Sequence, residues 1–129
     1  MIASLIDTLV AANTGYRTVE HAWTLDAIDQ LRDPMPYAIF VPGPINSDPS
    51  PSLPIRQRSS ETVLVVTICL WGELEGLRNQ LYQTLLGYQH APEYTELEHR
   101  QGEVQRINGS IVHWVDIFAT DRWMPPTAS

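Results

Sequence analysis

The chain has 129 residues with a formal charge of -7 and a single cysteine. That length supports one ordinary core, and one cysteine rules out both an intrachain disulfide and the paired-cysteine spacing of zinc sites. An acidic chain whose eight cations are all arginine lacks the basic balance that binds nucleic acid by bulk electrostatics, and no apolar run reaches the length of a membrane span.

The first stretch, Met1–Gly15, has no basic leader and carries Asp7 inside its apolar run, so a signal peptide is not expected and a reducing, cytoplasmic setting is. Within it Ile2, Leu5, Ile6, Leu9 and Val10 recur at helical spacing, which predicts an amphipathic helix over residues 2–12 stopped by "NTG". A short segment around "YRTVEHAW" follows, and Thr24 is placed to cap a brief helix, "LDAIDQLR", ended by Asp33-Pro34. "PYAIFVPG" then reads as a strand bounded by prolines.

Residues 41–58, "VPGPINSDPSPSLPIRQR", hold five of the ten prolines. The piece before them is too short to fold alone without staples. They therefore read as a long arm between two strands of one domain, not as a linker.

"ETVLVVTICLW", residues 61–71, is apolar on both alternating faces and rich in β-branched residues, as expected of a central strand covered on both sides. Gly72 is expected to turn the chain into a helix, "ELEGLRNQLYQTLLGY", whose Leu74, Leu77, Leu81 and Leu85 share one face. Tyr82 and Leu86, four residues apart, lie beside that stripe as a widened core face or a partner contact.

In the last third, Asn108-Gly109 between two strand-like runs predicts a hairpin with a type I′ turn. Alternation in the final strand puts Ile111, His113, Val115 and Ile117 on one face, and Val112, Trp114, Asp116 and Phe118 on the other. Residues 121–129 read as a C-terminal tail. The whole is one domain, residues 1–129, of α+β class: a mainly antiparallel sheet packed against two main helices, with the proline-rich arm between strands.

Motifs for chemistry are wanting: there is no phosphate-binding loop, nucleophile elbow or zincin helix. His90, Glu93, Glu96 and His99 in "HAPEYTELEH" offer metal-ligand types, but Pro92 breaks helical spacing and a solvated acidic loop explains them equally well. Asp116 with Asp121 rises no higher than ordinary strand-end charge, and His113 falls on the opposite strand face from Asp116. Cys69 reads as a small core residue. No catalytic residue, metal or cofactor is assigned.

Whole-chain organisation says more. The N-terminal amphipathic helix, "PYAIFVPG", the proline-rich excursion, the strand entering "LRNQLYQTLLGYQHAP" and the closing "RQGEVQRINGSIVHWVDIFAT" resemble the tail terminator proteins of long-tailed bacteriophages over residues 2–120. The resemblance implies a non-enzymatic virion subunit, assembled from the host cytoplasm at the head-proximal end of the tail. Six copies would form a ring on the tail tube, stop its polymerisation and receive the head-completion or neck protein. DNA would pass through the lumen without specific binding, and no membrane is involved.

Such a ring needs two different complementary patches on each subunit. Arg56 and Arg58, at the arm's return, are candidates for contacts with a neighbouring subunit or the tube, as are Tyr82 and Leu86. Other readings are a different neck or tail-completion protein, a small cytoplasmic enzyme with a spatially assembled site, or a monomeric binding module using the arm.

Overall fold

A computed structural model describes residues 1–24, 35–48 and 57–124. In chain order these form α1 (Ile2–Ala11), β1 (Thr18–His21), β2 (Tyr37–Asp48), β3 (Gln57–Leu70), α2 (Trp71–Leu85), β4 (Glu98–Asn108) and β5 (Ile111–Met124). The five strands make one sheet in the order β1-β2-β3-β5-β4. β1 runs parallel to β2 and every other pair is antiparallel, so the α+β expectation holds. The helix expected over residues 25–32, and Arg56, lie outside the described residues.

α1 buries Leu5 and Leu9 on the sheet, half-buries Ile2 and Ile6, and leaves Val10 exposed at the end of the stripe. It stops where Asn13 adopts a φ of 53°, the left-handed conformation that asparagine tolerates after a helix C-terminus. The segment after it is a strand, β1, which sequence reading passed over because four residues are too few to show a period. Between α1 and β1, Tyr16 is anchored in the core: its hydroxyl hydrogen-bonds Thr67 Oγ1 at 2.8 Å and donates to the Leu77 carbonyl at 3.3 Å.

β3 lies between β2 and β5 and is buried on both faces. Val63, Val65 and Cys69 join Leu5, Leu9, Phe40, Phe118 and the four α2 leucines in the helix-side core. Val66 and Ile68 join Tyr37, Ile39, Val41 and Val115 on the far side. The leucine stripe of α2 is fully inward, with Leu74, Leu77, Leu81 and Leu85 all buried.

Two junctions differ from expectation. Gly72 does not turn the chain: β3 passes directly into α2 at Trp71, one residue earlier, and Leu70 is the extended N-cap. The Glu73 carboxylate accepts the Leu70 N–H at 3.3 Å, and the Ser110 carbonyl accepts the Trp71 N–H at 3.2 Å. These contacts satisfy donors that a helix start leaves orphaned, so no turn residue is needed.

The β4–β5 hairpin is present, but Asn108 pairs with Ile111 and is the last strand residue, which leaves Gly109 and Ser110 as the turn. Gly109 has a φ of 62° and Ser110 is not among the positive-φ residues. That pattern is type II′, with glycine first, and not the type I′ expected with asparagine there.

Candidate functional site

The segment read as an arm is, at both its ends, strand. β2 continues through Pro42 and Pro44 to Asp48, and β3 begins at Gln57, with Asp48 paired to Arg58. Prolines fit because β1 ends opposite Phe40: beyond it β2 is an edge strand, and a missing N–H on the outer side costs no ladder bond. The register shifts between Pro42 and Ile45, and Thr62 Oγ1 donates to the Pro44 carbonyl there at 2.9 Å. Likewise β5 runs to Met124, taking the first residues assigned to the tail.

This β2–β3 hairpin and the N-terminal turn of α1 border an open groove of about 510 Å³. Met1, Ile2, Ile6, Trp23, Pro42 and Ile45 supply its apolar walls, with His21 and Glu61 at the margin. Trp23 is 76% and Ile45 62% exposed. On the far face of the same hairpin Arg58 pairs with Asp121, which also accepts from Ser60 Oγ at 2.7 Å. The Arg58 guanidinium, then Ser60, hold the Asp121 carboxyl below the usual carboxylate range against the opposing effect of burial. Arg58 remains 53% exposed while so paired.

Tyr82 and Leu86 separate in space. Leu86 is the C-cap of α2 and is 47% exposed. Tyr82 turns into the seam between α2 and β4, where four donors from three elements converge on Asp116 Oδ1. The Tyr82 hydroxyl lies at 2.9 Å, His99 Nε2 at 2.9 Å, Trp114 Nε1 at 3.0 Å and Arg78 Nη2 at 3.3 Å. Arg78 also donates to the Tyr82 hydroxyl and stacks its guanidinium 4.2 Å from the Trp114 ring centre. Burial, reinforced by the hydrogen bond to Asp116, pushes the Tyr82 hydroxyl up to about 12.

Asp116 is 0% exposed, so the reading of it as ordinary strand-end charge is corrected: it is a mid-strand carboxylate whose Oδ1 takes all four donors, while its buried Oδ2 has no hydrogen-bond partner among the described residues. Alternation had placed it on the apolar face with Val112, Trp114 and Phe118, and a carboxylate on such a face is the signal that could have found it. The histidines of "HAPEYTELEH" part company. His99 goes to Asp116, whereas His90 stacks beside Tyr94. Among the described residues no group of three His, Cys, Asp or Glu is placed to hold a metal ion, and no helix is long and apolar enough to cross a membrane.

Comparison with known proteins adds one finding. The fold is shared with a virion chain. A chain from a structure described as the virion of a native gene transfer agent particle matches with a TM-score of 0.60 at 10% identity, over 95% of this chain and 92% of that one. No family model matches, and no curated protein does. At that identity the likeness speaks for the fold, which spans nearly the full length of both chains.

Proposed function

We propose that this chain is a structural protein of a phage-like particle. Its place is the head-proximal end of the tail, where six copies form a ring that caps the tail tube, ends its polymerisation and offers a surface to the head-completion or neck protein. The supporting observation is the fold shared end to end with a chain of a virion, in a sequence whose element order resembles tail terminators. The apolar groove bordered by the β2–β3 hairpin fits a subunit that buries surface on assembly. In this reading the work is architectural, not catalytic, and DNA passes the ring without being gripped.

The test is co-expression with the tube protein of the same particle. Tubes of uniform length bearing a ring at one end are expected, and tubes that grow without limit in the presence of this chain would overturn the reading. Reversing the charge at both Arg56 and Arg58 is expected to weaken capping. Arg58 already pairs with Asp121 within its own chain, so Asp121→Asn is the control that separates loss of that internal pair from loss of an external contact.

A further inference from the structure

β4 closes one edge of the sheet with eleven residues, and its register against β5 shifts twice. Between the turn and Arg106 the pairing is regular; it skips Gln105, resumes from Val104 to Gln101, skips Arg100, and resumes at His99. Each shift inverts the alternation of faces. The first turns residues 101–104 over and the second turns the strand back. In consequence Gly102 lies opposite Asp116 and Val104 opposite Trp114, while Glu103 lies opposite Val115 on the other face.

The fit at Gly102 is close. A Cβ there would stand 2.8 Å from Asp116 Oδ1, 3.0 Å from the Trp114 ring and 3.1 Å from Arg78 Nη2. A ladder without the shifts, counted from the same turn, would place Glu103 opposite Asp116 and carry His99 to Thr120. Two carboxylates would then face each other at a buried position, and Asp116 would lose its histidine donor. Like charges directly opposite in a sheet are destabilising, and more so away from water.

We infer that Asp116, Gly102 and Glu103 form a register lock, which holds β4 in its doubly shifted form and so keeps the outer edge of the sheet from pairing with another copy of the chain. Regular edge strands are templates for such pairing, and bulges are one of the features that prevent it. The lock acts on the isolated subunit, so its failure would leave the ring reading untouched.

The test uses paired cysteines in a Cys69→Ser background. Glu98→Cys with Ala119→Cys reports the observed register, and Arg100→Cys with Ala119→Cys reports the unshifted one; opposed positions suit a disulfide. In the parent chain the first pair is expected to close and the second to stay open. In the Gly102→Val/Glu103→Leu variant the preference is expected to reverse, with a larger mean particle mass than the parent chain in light scattering. Glu103→Leu is expected to recover much of the stability lost in Gly102→Val, although Glu103 is exposed in the observed register. Additive effects of the two substitutions, the first pair still closing in the double variant, or a double variant that no longer folds would each overturn the lock.

Discussion

Asp116 is the residue on which α2, β4 and β5 all depend. Removing its side chain takes away the acceptor shared by Tyr82, His99, Trp114 and Arg78. Hydrogen bonds to a buried charged group are worth about 1.5–3 kcal/mol each and are not additive, so Asp116→Ala is expected to cost on the order of 3 kcal/mol in urea unfolding. Tyr82 makes a second prediction. Its pKa is raised from 10.0 to about 12, so folding favours the neutral hydroxyl. That contribution is full below pH 10 and is lost as pH rises through about 12. Tyr82→Phe should lose part of the stability difference between neutral and alkaline pH, and ultraviolet titration should show one late-ionising tyrosine fewer. Neither role could be read from the sequence as a role. The face of Asp116 was legible from alternation, but its partners are spread from Arg78 to Trp114, and no local pattern brings them together.

At the scale of elements, α2 was the most legible because four leucines at helical spacing admit one burial pattern. Leu81 is wholly buried, and Leu81→Ala is expected to lower stability by about 2–5 kcal/mol through lost transfer energy and the cavity left behind. The hairpin ends of β2 and β3 were harder. Prolines argue against a strand in general, yet they are harmless where the neighbouring strand has ended, and where β1 stops is a fact of topology that the sequence does not display. Asp121 carries the prediction for this element. Its pKa is lowered chiefly by Arg58 and then Ser60, so its contribution is present above the unfolded carboxylate range and is lost as pH falls through the folded value. The stability gap between the parent and Asp121→Asn should narrow on acidification, and Arg58→Gln should flatten that dependence.

For the molecule as a whole, the α+β class was legible because the runs on either side of the proline-rich segment both read as strands, and they do pair in one sheet. The pairs from Tyr37 with Ile68 to Pro42 with Val63 lie inside the two-sided core, away from the outer ends of β2 and β3. Deleting residues 45–53 should therefore preserve cooperative unfolding and circular dichroism while impairing tail capping. A deletion that unfolds the chain would count against the hairpin as a separable element.

The passage of β3 into α2 without a connecting loop has a mechanical consequence. From Gln57 to Leu85 the backbone is fourteen residues of strand followed at once by fifteen of helix, and the junction is clamped at Trp71 by the turn of the last hairpin. Nothing slack lies between them to absorb a rotation. A rotation of α2 relative to β3 would therefore have to strain the strand, the helix or the Trp71 hydrogen bond itself.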